Sequence, residues 1–154
     1  MEDNISNLMK TNLKTDKFTL NNNIYIAKCV KCYDADTIHV VFYLNTKPQR
    51  FVCRLLNIDT AEIRSKNIEE KTFAKKARDY LKNIILNKII TIKCGEFDKY
   101  GRLLIYIYSY DSKPSSDPND LTFENSINNT LLHEKFAYQY DGGTKLPFDE
   151  WKLL

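Results

Sequence analysis

Five strand-like segments, a helix between the third and fourth, and a second helix after the fifth predict an α+β, mainly β fold: a five-stranded OB-fold barrel. Three observations carry this reading. The strand segments are rich in β-branched and aromatic residues and end in turn residues. Their order, β-β-β-α-β-β-α, lacks the regular strand–helix alternation of a doubly wound sheet. The length, 154 residues, suits one domain with one core.

Residues 1–20 are read as a mobile tail and 21–154 as the folded domain. Met1 to Lys17 is polar and rich in Asn, Lys and Asp, with no apolar run long enough for a signal peptide or membrane span. An intracellular protein with no membrane partner is expected. Ile24 to Tyr33 and Thr37 to Leu44 read as strands around Asp34-Ala35-Asp36. Asn45-Thr46-Lys47-Pro48 is a turn, and Gln49 to Ile58 a third strand. From Ile68 to Leu86, Phe73, Ala74, Ala77, Leu81, Ile84 and Ile85 recur at helical spacing, with Glu69 and Glu70 in the first turn, where the helix dipole favours them. The opposite face, Lys71 to Lys82, is basic and reads as the solvated side. Ile89 to Cys94 and Arg102 to Tyr110 are the last strands, joined by Gly95 to Gly101. Asp111 to Asp120 reads as an exposed loop. Phe123 to Lys135 is a helix, with Asn125 or Ser126 as its cap. Pro147, Phe148 and Trp151 offer a docking segment of about one helical turn.

Composition excludes collagen-like and Pro/Gly-rich disordered chains: glycine and proline number 4 each. A net charge of +3 is too small to imply a polyanionic ligand unless the positive charge is local. Cys29 and Cys32 have the spacing of a metal or redox pair. Strand alternation turns residues three apart to opposite faces, so the four cysteines read as reduced, buried, small apolar residues.

Three carboxylates, Asp36, Asp59 and Glu62, fall just beyond strand ends, and two arginines, Arg54 and Arg102, accompany strands. Strict alternation does not put Arg54 and Asp59 on one side; a bulge or the turn at Ile58 must do so. If the strand ends converge, the all-oxygen ligand set of Asp36, Asp59 and nearby carbonyls suits a hard cation, Ca²⁺ or Mg²⁺, better than zinc. Two guanidiniums would grip a phosphate and match the added charge of its five-coordinate transition state. Glu62 would accept a proton from an attacking water or hold that water in line. Together these parts describe phosphodiester hydrolysis.

Three segments carry a specific likeness: Tyr33-Asp34-Ala35-Asp36-Thr37, Arg54-Leu55-Leu56-Asn57-Ile58-Asp59-Thr60-Ala61-Glu62, and Asp98-Lys99-Tyr100-Gly101-Arg102. With their order, they make the chain resemble the staphylococcal nuclease-like (thermonuclease) family from about Ile24 to about Tyr140. The resemblance implies one Ca²⁺ ion, with Mg²⁺ second, on Asp36, Asp59 and the Thr60 carbonyl. It implies Arg54, Glu62 and Arg102 as catalytic residues, and Lys99 and Tyr100 as substrate contacts. The implied substrate is DNA or RNA, single-stranded or frayed, cut with little sequence preference to leave 3′-phosphates. The expected protein is a monomer. The alternative is a catalytically weak module of the same fold that binds nucleic acid or protein. The Asn-, Ile- and Lys-rich composition points to an AT-rich genome, and the resemblance to short family forms without a signal peptide, which occur in large DNA viruses, implies a viral origin.

The chain departs from the family pattern at several positions. Ala35 replaces a glycine and Ala61 a proline, so a slightly strained or differently shaped Asp36 turn and a looser Asp59–Glu62 turn are expected. Lys135 stands where a helix-ending glycine is usual. The base-stacking tyrosines do not align cleanly, and Tyr138 and Tyr140 are the nearby candidates.

Overall fold

The structure, a computed structural model, describes residues 2–110 and 118–153. In chain order the elements are α1 (Glu2–Met9), β1 (Ile24–Cys32), β2 (Thr37–Leu44), β3 (Lys47–Leu55), β4 (Ile58–Thr60), α2 (Ile68–Ile85), β5 (Ile89–Phe97), β6 (Leu103–Ser109), α3 (Ile127–His133), β7 (Ala137–Gln139) and α4 (Phe148–Trp151). The expected Asp111–Asp120 loop lies outside the described residues as far as 117; Pro118–Asp120 forms a single 3-10 turn.

The five expected barrel strands close in the order β1-β2-β3-β6-β5, with β5 pairing back onto β1. Only β3 and β6 run parallel. Alternation explains the barrel's filling: Ile38, Val40 and Phe42 of β2 point inward at every second position and meet Cys53, Leu55, Leu103, Ile105 and Ile107. Leu81 and Ile85 of α2 and Leu131 of α3 complete this core. Asn67 caps α2, its side-chain carbonyl accepting the N–H groups of Glu69 and Glu70 at 2.9 and 3.3 Å. The C-terminal segment docks as expected. Phe148 and Trp151 of α4 pack on Phe73, with ring centroids 5.5 and 5.6 Å away.

Several details differ from the sequence reading. The third strand stops at Leu55 instead of Ile58. The chain bends at Leu56–Asn57, where Asn57 takes a φ of 66°, and the next three residues form β4 against β7. Three-residue strands are too short to show a period, so neither was legible. The segment read as a tail carries α1, and its last residue, Leu20, is buried in the barrel core. The second helix begins at Ile127, capped by Ser126, whose hydroxyl accepts the Asn129 N–H at 3.1 Å. Lys135 does take the left-handed conformation usual for glycine, at φ 64°. No helix among the described residues is long and apolar enough to cross a membrane.

The cysteine argument from alternation is corrected. A bulge between Cys29 and Lys31 shifts the β1–β2 register, so Cys29 and Cys32 both turn inward and their Sγ atoms lie 3.8 Å apart. All four cysteines are free and buried.

One buried polar side chain ties these parts together. Asn128 of α3 accepts the Ile107 N–H at 3.0 Å and donates to the carbonyls of Leu56 and Ile105 at 2.9 and 3.1 Å. It thereby holds the bend after β3 to α3 and β6. An unpaired buried backbone group costs about 1–3 kcal/mol, so Asn128→Ala is expected to lower the unfolding free energy by about 3 kcal/mol. Urea titration of the purified variant measures this; a loss under about 1 kcal/mol contradicts the assigned role.

Candidate active site

The site forms where the β1–β2 turn, the bend after β3 and the β5–β6 hairpin meet at one end of the barrel. Asp34 shapes the first of these. Its Oδ1 accepts the N–H groups of Asp36 and Thr37 at 3.0 and 2.7 Å, an Asx turn that leaves Asp36 buried at the start of β2. The strain expected at Ala35 is absent: Ala35 is not among the residues with positive φ, and the Asp34 carboxylate does the turning instead.

Arg54 sits opposite Thr37 in the β2–β3 ladder, and its buried side chain fills the bend. Nη1 donates to the carbonyls of Leu55 and Ile58 at 2.7 and 3.0 Å. Nη2 donates to Asp59 Oδ1 at 3.0 Å and lies 3.4 Å from Asp36 Oδ2. The bend at Asn57 is therefore what brings Arg54 and Asp59 together, the role the sequence left to a bulge or turn. Asp59 is only 3% exposed, and its other oxygen accepts the Tyr138 hydroxyl at 2.7 Å. Burial, followed by the neighbouring Asp34, pushes the Asp36 carboxyl up to about 6 despite Arg54. Burial also raises Asp59, against the hydrogen bond from Tyr138.

Arg102 enters from the hairpin, whose turn needs the φ of 84° that Gly101 adopts. Asp98 accepts the backbone N–H groups of Tyr100 and Arg102, both at 2.9 Å, and Arg102 Nε at 2.7 Å. Burial pushes the Asp98 carboxyl up, but these hydrogen bonds outweigh it and hold it below its ordinary value. The guanidinium plane is thus fixed, with Nη1 3.4 Å from Thr37 Oγ1. Glu62 is different. Its side chain is 62% exposed and pairs with Lys145 at 3.5 Å, while the same ammonium lies 3.7 Å from Asp59.

Asp36, Arg54, Thr60, Glu62, Arg102 and Lys145 line one cleft of about 220 Å³. Asp59 lies behind it, joined through Arg54. Lys99 and Tyr100 line the adjoining hollow of about 310 Å³, which shares Arg54 and Arg102 with the cleft and has Tyr140 in its wall. Tyr138 is not a stacking platform: it is 4% exposed, its hydroxyl holding Asp59 and the Leu146 N–H. Tyr140 stays at the surface of the hollow, its ring 5.7 Å from the Arg54 guanidinium. Sequence reasoning missed the supporting roles of Asp34, Asp98, Tyr138 and Lys145. The Asx-turn signal at Asp34 was readable; Lys145 follows a glycine pair and carried none.

The donor set fits a hard cation. Asp36 and Asp59 are two crowded, buried carboxylates, each made harder to ionise by its surroundings. Among the described residues no group of three or more His, Cys, Asp or Glu gathers as a cage. A cation here would therefore rest on these two carboxylates and carbonyl oxygen, and the chemistry is that of calcium or magnesium rather than zinc.

Comparison with known proteins bears on this arrangement. The family model for staphylococcal nuclease homologues matches residues 52–149, well over half of the chain. The chain is also 36% identical over 84 residues to a Bacillus anthracis protein described only as uncharacterized. That alignment covers 53% of this chain and 37% of the relative, so the chain spans little more than a third of the relative's length.

Removing one member of a buried charge set while leaving its partners costs about 3–5 kcal/mol. Arg54→Ala, which strands Asp36 and Asp59, is expected to lose about that much stability, whereas Arg102→Ala, at a half-buried pair, is expected to lose under about 1 kcal/mol. Thermal unfolding of the two variants side by side checks the difference. Equal losses would mean that Arg54 does not hold the bend.

Proposed function

The chain belongs to the staphylococcal nuclease homologue family, and from that premise we propose that it is a calcium-dependent phosphodiesterase. It cuts DNA or RNA, single-stranded or frayed, with little sequence preference, leaves 3′-phosphate ends, and acts as a monomer. The observation that carries this reading is the single cleft in which Arg54, Arg102, Asp36, Thr60 and Glu62 meet.

The residues divide the work by their geometry. Arg102, its Nε held by Asp98, offers its Nη groups to a phosphate oxygen. Arg54 contributes a second positive charge at a position fixed by its own protein contacts. Their combined charge counters the negative charge that grows as phosphorus becomes five-coordinate. Glu62 takes a proton from the attacking water. The water oxygen bonds to phosphorus, the P–O5′ bond breaks, and the leaving 5′-oxygen is protonated from solvent. Asp36, Asp59 and the Thr60 carbonyl would hold calcium, which would supply Lewis-acid neutralisation of the phosphate. Lys99, Tyr100 and Tyr140 in the adjoining hollow suit the nucleotide next to the scissile phosphate, a ring being sequence-tolerant as a stacking partner.

A second reading, a catalytically weak module that binds nucleic acid or protein, draws on one observation: Glu62 is exposed and engaged by Lys145. Single-stranded DNA and RNA incubated with calcium and then with a chelator separate the two. Calcium-dependent cutting to 3′-phosphate ends is expected, and intact strands under both conditions would leave only the binding module. Glu62→Gln and Arg102→Ala are each expected to lower kcat by about 10²–10³-fold, the scale of a general base and of one transition-state donor respectively. Wild-type kcat in both would remove the assigned roles.

A further inference from the structure

A second cleft, of about 560 Å³, opens beside the candidate active site. It is lined by Lys31 and Tyr33 from the end of β1, by Arg64 just after Glu62, and by Lys71 and Arg78 of α2. Four of its lining side chains are cations and none is acidic. Lys71 and Arg78 are seven residues apart, two helical turns, so they share one face of α2. Arg78 pairs with Asp79 at 3.2 Å, but among the described residues Lys31, Arg64 and Lys71 have no ion-pair partner. The wall is continuous with the active cleft: Tyr33 lines both, and the Arg64 guanidinium lies 5.9 Å from the centre of its ring.

In a chain with a net charge of only +3, positive charge is therefore concentrated locally. The α2 face that sequence alone reads as solvated is, at Lys71 and Arg78, one side of a basic trough whose other side comes from β1 and the segment after β4. A row of four cations, three of them without an ion-pair partner among the described residues, with an aromatic ring at its head is the arrangement that tracks a single-stranded backbone. We propose that this cleft carries the strand flanking the scissile phosphate, so the protein grips several nucleotides rather than one phosphate. The proposal rests on the reading that the neighbouring cleft receives a phosphodiester.

The test is a binding measurement, made in chelator so that no strand is cut. Fluorescence anisotropy with a labelled oligothymidylate of about 12 nucleotides is followed from about 50 to about 200 mM salt. For the double variant Lys71→Gln, Arg78→Gln the expected result is at least about tenfold weaker binding at low salt and a log–log salt slope shallower by about 1.4, the release of two counterions at about 0.7 each. The control double variant Lys28→Gln, Lys47→Gln keeps the wild-type slope, and circular dichroism confirms that both variants fold. An unchanged slope in the cleft variant overturns the strand path. So does an equal loss of affinity for a mononucleotide 3′,5′-bisphosphate, which would mark a local phosphate site. Wild-type protein that binds the oligomer with the full slope, yet never cuts with calcium, overturns the nuclease reading and leaves this one standing.

Discussion

The structure turns on one buried guanidinium. Arg54 satisfies two backbone carbonyls at the bend after β3 and sits against two carboxylates from different turns. A sharp bend exposes carbonyls that the ladder no longer pairs, and in the interior those groups need donors. Arginine supplies several in one rigid plane. The side chain that stabilises the bend is therefore the one that draws Asp36 and Asp59 together. The demands of the bend and of the two carboxylates coincide at this position.

Around Arg54 the supports are arranged in a second ring. Asn128 holds the bend from the α3 side, Tyr138 holds Asp59 from β7, and Asp34 and Asp98 set the turns that present Asp36 and Arg102. Each uses hydrogen bonds to backbone or to a charged group, so each fixes direction as well as distance. The carboxylates remain uncomfortable even so: burial makes both harder to ionise, helped at Asp36 by the neighbouring Asp34 and at Asp59 by Asp36. A site that keeps two such groups side by side is set up to gain from added positive charge, whether from a cation or from Lys145.

Charge is distributed unevenly over the surface near this site. The basic trough between β1 and α2 runs into the cleft through Tyr33, and the hollow on the other side holds Lys99, Tyr100 and Tyr140. The candidate site thus lies between two surfaces, one marked by positive charge and one by aromatic rings. Focusing of this kind acts on encounter and grip rather than on the chemical step.

The sequence by itself determined the barrel. Period-two burial in β2 and the three- and four-residue steps of α2 are local patterns, readable because burial follows the geometry of each element. It also carried the candidate-site residues as types and order: Asp36, Arg54, Asp59, Glu62 and Arg102 stand in short, dense segments. Tertiary structure decided the rest. The bend at Asn57 needed Arg54, Asn128 and the β4–β7 pair, whose partners lie far along the chain. The bulge in β1 turned Cys29 and Cys32 inward together, because one extra residue reverses the alternation on which their separation was argued. Lys145 reached the site through Asp59 and Glu62, and Tyr138 left the surface to donate to Asp59. Where a side chain ends depends on which distant backbone groups and charges require a partner, and no local period records that.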